Sequence, residues 1–206
     1  MTTSQRAKPL LSALLCTLFS TLGFAFAAES IRGNVTDTRV INSPLDEPGS
    51  WLTYGQNFKE QRFSQLTQIN TDTVDRLGLA WIKQVGDYNM RMQGTPLVVD
   101  GVMYVTNGWS VIYALDATTG EEIWTYDPEV DRSYIQLACC GPAHNRGAAV
   151  YEGKVFVGTF DGRLIAVDAN TGEEVWDVDT WIPAGLGRFN ITGAPRAAAG
   201  KVYIGQ

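Results

Sequence analysis

A chain of 206 residues is long enough for a domain with a substantial core. Its formal net charge is -6, and an acidic surface excludes a nucleic-acid reader that works by neutralising phosphates. With 3 cysteines, 1 histidine and no Cys-x-x-Cys spacing, the chain is poorly supplied for a zinc-type centre.

Residues 1–27 read as a secretory signal peptide, so the mature protein is expected in the periplasm. Arg6 and Lys8 give a positive start, Leu10 to Ala28 carries no charge, and Ala25-Phe26-Ala27 offers small residues at the positions a signal peptidase reads. The alternative is an uncleaved membrane anchor, against which Ser12, Thr17, Ser20, Thr21 and Gly23 speak. Cys16 follows Leu15 rather than a small residue, which argues against a lipoprotein site. Cleavage leaves only Cys139 and Cys140 and makes the chain more acidic by two charges.

Residues 29–50 show little periodicity and are expected to form an irregular leader. Trp51 to Asn70 has turn and aromatic character, and Asn70-Thr71-Asp72 is placed to cap a short helix through Arg76. "LGLAWIKQVGD", from Leu77, reads as the last strand of an unfinished sheet, with Trp81 in a tryptophan position that recurs later.

The recurrence is an internal repeat. "ALDATTGEEIW" ends at Trp124 and "AVDANTGEEVW" at Trp176, an offset of 52 residues. The match runs backwards through "DGVMYVTNGWSVIYALD", from Asp100, and "EGKVFVGTFDGRLIAVD", from Glu152; a third copy starts at "GAPRAAAGKVYIGQ". Each copy reads as four short strands, with tight turns at Gly101 or Gly153 and at the Asp-x-x-Thr-Gly runs ending in Gly120 and Gly172. Four strands per unit at this period is the pattern of a β-propeller blade. Trp124 and Trp176 are expected to pack over small residues of neighbouring sheets rather than to bind a ligand. A propeller closes with about four to eight blades. About two complete blades and pieces of two more fit in this chain, so it is expected to be an N-terminal fragment.

In a propeller the first strand of each blade lines the axial channel. The copies align as "MQGTPLVVDG", "HNRGAAVYEG" and "ITGAPRAAAG", which makes Gln93, Asn145 and Thr192 equivalent and puts Arg146 at the next position. Three neighbouring blades would present Gln93, Asn145 with Arg146, and Thr192 around one axial cavity. One fixed cation among neutral donors suits a flat, anionic, oxygen-rich ligand. The bland alternative is a set of polar turn residues. His144 reads as a loop residue, and Asp87, Asp100 and Asp116 as turn and surface carboxylates.

Cys139 and Cys140 leave three readings open. Adjacent Cα atoms stand about 3.8 Å apart, short of the ~4.4–6.8 Å that disulfides prefer, so a bond between them must distort the peptide within a structure that enforces it. The others are two free buried thiols and a pair of metal ligands.

Trp51-x-x-Tyr54-Gly55, Arg62-Phe63-Ser64, "TPLVVDGVMYV", Cys139-Cys140 with Asn145-Arg146-Gly147, and the "TGAP" run from Thr192 occur in this order. Over about residues 45–206 the chain resembles the N-terminal part of the quinoprotein alcohol dehydrogenases, the methanol/ethanol dehydrogenase family that uses pyrroloquinoline quinone (PQQ). The resemblance implies an all-β, eight-bladed β-propeller with tryptophan-docking repeats, with residues 28–206 as an incomplete propeller domain holding PQQ and calcium in its axis. It implies a disulfide between Cys139 and Cys140 stacked on one face of PQQ, and Arg146 near the quinone oxygens. Thr192 falls on the threonine that bonds a PQQ carboxylate, and Gln93 stands where the family often carries a glutamate. "CCGPAHNRG" is one residue longer than the commoner family loop, with Pro142 restricting the turn. The family's calcium ligands and catalytic base fall beyond Gln206, so no metal ligand or catalytic residue is assigned to this chain.

The implied reaction oxidises a primary alcohol to an aldehyde and passes electrons to cytochrome c or a similar acceptor; a membrane-associated partner subunit is compatible with it. The rival is a non-catalytic exported propeller scaffold that binds proteins. It explains the repeats and the leader but neither the adjacent cysteines nor the polar ring. A third reading, motivated by Gln93, is an enzyme of this family with altered cofactor or metal use.

Overall fold

The computed structural model describes residues 31–86, 91–133, 142–180 and 190–205. The leader at 1–27, Asp87, Cys139 and Cys140 lie outside the described residues. Each of the two full copies of the repeat folds into one four-stranded antiparallel sheet. The first holds β2 (Leu97–Val99), β3 (Val102–Thr106), β4 (Ile112–Asp116) and β5 (Glu122–Tyr126) in chain order. The second holds β7 (Ala149–Tyr151), β8 (Lys154–Gly158), β9 (Arg163–Asp168) and β10 (Glu174–Asp179), also in chain order. A third hairpin pairs β11 (Arg196–Ala198) with β12 (Lys201–Tyr203). The strands predicted from the repeat are the strands observed.

Local chemistry explains why the copies fold alike. In all three first hairpins the two central residues have positive φ: Asp100–Gly101, Glu152–Gly153 and Ala199–Gly200. That is the two-residue turn whose twist matches antiparallel strands. At the next hairpin Asp116 Oδ1 accepts from the backbone N–H of Thr118 and Thr119, both at 2.8 Å. Asp168 Oδ1 does the same for Asn170 and Thr171, at 2.8 and 3.0 Å. Both carboxylates are spent on a turn, as expected for Asp116. Asp100 is likewise structural, accepting from Gly33 N–H and from Arg39.

In both full sheets the outer strand shifts register beside its tryptophan. Ala114 faces Trp124 while Leu115 faces Glu122; Ala166 faces Trp176 while Val167 faces Glu174. One extra residue bends each strand locally. Trp124 then lies on the second sheet's turn: a Cβ added to Gly172 would stand 2.7 Å from its indole, and Trp124 Nε1 donates to Ala169 O at 3.2 Å. Trp81 repeats both contacts one sheet earlier, over Gly120 and onto Ala117 O at 3.3 Å. Trp81 therefore occupies the expected place, although residues 77–85 form no strand. Trp176 stays half-buried against Phe156.

One apolar core joins both sheets. Leu97, Val99 and Tyr104 of the first meet Val150, Val155 and Val157 of the second, with Leu52, Val35 and Val40 closing the cluster. Val40 belongs to α1 (Asp37–Asp46), which corrects the expectation of an irregular leader. Thr36 caps this helix by accepting from Arg39 N–H, and Asp37 stands in its first turn. Val40, Ile41 and Leu45 recur at helical spacing, but only Val40 and Ser43 are buried, while Ile41 and Leu45 are exposed. Arg39 ties it down at both ranges, pairing at 2.7 Å with Glu47 at the helix's own end and at 2.7 Å with the distant Asp100. The short helix expected after Asn70 is a single 3₁₀ turn, Val74–Arg76, with Asn70 Oδ1 accepting from Asp72 N–H.

The Arg39 pair gives the fold an acid sensitivity. The hydrogen bond from Arg39 holds the Glu47 carboxyl below the usual glutamate value. A depressed folded value stabilises above the ordinary pKa of about 4.3 and is lost as the pH falls through the lower folded value. Glu47→Gln is expected to remove about 1 kcal/mol at neutral pH, a figure reduced for solvent screening, and to flatten the stability profile below pH ~4.3. Urea midpoints at pH 7 and pH 3 for both proteins check this.

Candidate functional site

The leading ends of the first strands come together. β1 (Arg91–Met92) runs parallel to β6 (His144–Asn145), with Arg91 opposite His144 and Met92 opposite Asn145. Gln93 N–H donates to Asn145 O at 3.3 Å, and Arg146 N–H donates to Thr192 O at 2.9 Å. Three successive strand heads are thus stitched edge to edge by backbone bonds. The approach is close enough to require glycine: a Cβ on Gly94 would stand 3.1 Å from Gly147 Cα, and Gly147 itself has φ +121°.

Two expected site residues touch directly. Arg146 Nη1 donates to Thr192 Oγ1 at 2.5 Å, and both residues are half-buried. Thr192 Oγ1 therefore uses an acceptor position on the guanidinium and keeps its own proton to donate. Arg146 retains further N–H groups in a rigid fork. Gln93 is exposed at the neighbouring head. The result is a cation and a hydroxyl side by side with an amide next along the row. This donor set fits a planar ligand carrying carboxylates and carbonyl oxygens, as PQQ does.

Two expectations are corrected here. Asn145 does not face a cavity. It is fully buried, and its Oδ1 accepts from Thr106 Oγ1 and Gly147 N–H, while its Nδ2 donates to Ser110 Oγ and Gly158 O. His144 is not a loop residue. It lies in β6, 7% exposed, with its ring edge-on to Phe160 at 6.1 Å. The repeat alignment already carried this signal, since His144 occupies the column of Met92 and Ile191.

A second cluster escaped the sequence reading. The segment from Trp51 crosses the first strands, exchanging backbone bonds between Trp51 and Val98 at 2.8 and 3.0 Å. It delivers Tyr54, whose ring lies 4.3 Å from the guanidinium carbons of both Arg62 and Arg196. Glu60 Oε1 accepts from Arg196 Nε at 3.1 Å. A hydrogen bond from Arg62 is the main cause holding the Tyr54 phenol below its usual pKa. Tyr54 and Arg62 stand in the motifs that carried the resemblance, but Arg196 comes from the third repeat and only the fold joins them. Beside them lies a mainly apolar cavity of about 220 Å³, lined by Leu52, Tyr54, Ala149, Tyr151 and Arg196 among others. Gln93, Arg146 and Thr192 do not line it, so it is separate from the strand heads.

Comparison with known proteins gives a consistent picture. The family model for the β-propeller domain of PQQ glucose/ethanol/alcohol dehydrogenases matches residues 51–180. The chain is 48% identical over 188 residues to the dehydrogenase subunit of an alcohol dehydrogenase (quinone) from Komagataeibacter europaeus, covering 89% of this chain and 25% of that protein. It is 50% identical over 158 residues to a 1-butanol dehydrogenase (cytochrome c) from Thauera butanivorans, covering 77% and 22%. Among solved structures, quinohemoprotein alcohol dehydrogenase ADHIIG from Pseudomonas putida superposes with a TM-score of 0.79 at 49% identity, over 84% of this chain and 25% of that one. The chain spans about a quarter of the length of the relatives it matches.

Proposed function

Because this chain belongs to the PQQ glucose/ethanol/alcohol dehydrogenase β-propeller family, we propose that the full-length protein oxidises a primary alcohol to an aldehyde with PQQ and calcium. The observation that carries the proposal is the Arg146–Thr192 pair at the joined strand heads. In this reading the fold is an eight-bladed propeller, and the Trp81–Ala117 and Trp124–Ala169 contacts are its tryptophan docking.

PQQ supplies the two-electron acceptor when bound, and calcium a Lewis acid. The residues of this chain bind and orient. Arg146 would place a fixed positive charge beside a ligand oxygen and stabilise negative charge that grows there. Thr192 Oγ1, held by Arg146, would donate a hydrogen bond to a neighbouring ligand oxygen. Gln93 adds a neutral amide, leaving this part of the site one negative charge poorer than a glutamate would. Cys139 and Cys140, which lie outside the described residues, would pair as a disulfide against the ligand, as the family resemblance implies. No residue of this chain is assigned as catalytic base or metal ligand.

We place the mature protein in the periplasm, exported by residues 1–27, with cytochrome c or a similar protein as electron acceptor; the Thauera relative's name supports that kind of acceptor. A non-catalytic scaffold gives no reason for a half-buried guanidinium set on a threonine at the strand heads. The full-length protein loaded with PQQ and calcium is expected to show quinone absorbance and alcohol-dependent dye reduction. The absence of both signals after loading would sink the enzyme reading.

A further inference from the structure

Asn145 uses its whole hydrogen-bonding capacity inside the protein. Its amide has two acceptor and two donor positions, and four partners meet them. Thr106 Oγ1 and Gly147 N–H donate to Oδ1, both at 2.8 Å. Nδ2 donates to Ser110 Oγ at 3.2 Å and to Gly158 O at 3.0 Å. The amide orientation follows from its partners, since a carbonyl faces Nδ2 and a backbone N–H faces Oδ1.

The partners come from both sheets. Thr106 ends β3 and Ser110 follows it in the first; Gly158 ends β8 in the second. The fourth, Gly147, closes a turn around Arg146, because Asn145 and Gly147 flank that residue. Arg146 N–H is itself fixed on Thr192 O of the third repeat. One buried side chain therefore ties the ends of two sheets and the turn that aims the arginine. Aspartate would keep the shape but lose both donors, and serine is too short for four partners.

We propose that Asn145 is the positioning residue for Arg146: by joining Thr106, Ser110 and Gly158 it sets the guanidinium on Thr192 before any ligand arrives. The inference rests on the reading of Arg146 as a PQQ contact. A pre-set arginine binds an anionic ligand without first being ordered, which raises affinity with no contact from Asn145 itself.

The gentlest perturbation is at Thr106. Thr106→Val keeps the volume and removes one donor to Asn145; Thr106→Ser keeps the hydroxyl. PQQ is titrated into the full-length protein in calcium buffer, with tryptophan fluorescence as readout. Thr106→Val is expected to raise the dissociation constant about fivefold, the scale of one buried hydrogen bond, with Thr106→Ser restoring it. In an Arg146→Ala background Thr106→Val is expected to change nothing further, because its effect passes through the arginine. Equal weakening in both backgrounds, or none with Arg146 present, overturns the inference. Should the unmutated protein bind no PQQ, the functional reading fails by itself. Crystal structures of the Thr106→Val and Asn145→Ser variants then decide the positioning role: Arg146 Nη1 displaced from Thr192 Oγ1 supports it, and an unmoved contact in both overturns it.

Discussion

Arg146→Ala is expected to weaken PQQ binding to the full-length protein by about a hundredfold, roughly 2.7 kcal/mol. Hydrogen bonds to a charged group contribute about 1.5–3 kcal/mol, and Arg146 is half-buried, where water competes poorly for its N–H groups. The fold should tolerate the change. Thr192 Oγ1 is half-buried and exchanges its lost donor for water, while the bond between residue 146 N–H and Thr192 O survives. Arg146→Lys should fall between, at about tenfold, since an ammonium keeps the charge but loses the planar fork. The check is a fluorescence titration with PQQ, alongside urea melts of each variant. Unchanged affinity in Arg146→Ala would remove the arginine from the site.

The largest stability loss is expected from Trp124→Ala, at about 4 kcal/mol. The indole is 9% exposed, packs against Tyr104 with ring centroids 5.9 Å apart, and covers Gly172. Removing it opens a cavity between the two sheets that their backbones cannot close. Trp124→Phe should lose far less, about 1 kcal/mol, because Ala169 O also accepts from Tyr104 Oη at 3.2 Å. Phe at Trp124 and Tyr104 together should lose more than the two single changes combined, since Ala169 O is then left without either donor. Gly172→Ala tests the same contact from the other side: φ is +74° and the new methyl would meet the indole at 2.7 Å. Urea midpoints across this set separate ring packing from hydrogen bonding.

The residues behind this behaviour were unequally visible in the sequence. The sheets were legible because the repeat shows the same turn chemistry twice: Asp116 and Asp168 close identical turns, and Gly101 and Gly153 sit where both φ values are positive. The meeting of Arg146 with Thr192 was legible because the copies align strand head on strand head. Helix α1 was not, since its few apolar residues are interrupted by Pro44 and its tie to the first sheet, Arg39 on Asp100, is distant in sequence. The role of Asn145 was hidden for a related reason. Alignment gives a residue's place along a strand, but the direction of its side chain is decided by Ser110 and Gly158, which belong to other segments of the chain. The Tyr54 stack required Arg196 from the third repeat, a pairing no local pattern records.

In the proposed function the joined strand heads of this chain hold PQQ through Arg146 and Thr192. A crystal structure of the full-length protein loaded with PQQ tests it most directly. Ligand oxygens are expected within about 3 Å of the Arg146 guanidinium and of Thr192 Oγ1. PQQ bound elsewhere, with Arg146 and Thr192 still facing only each other, would contradict it.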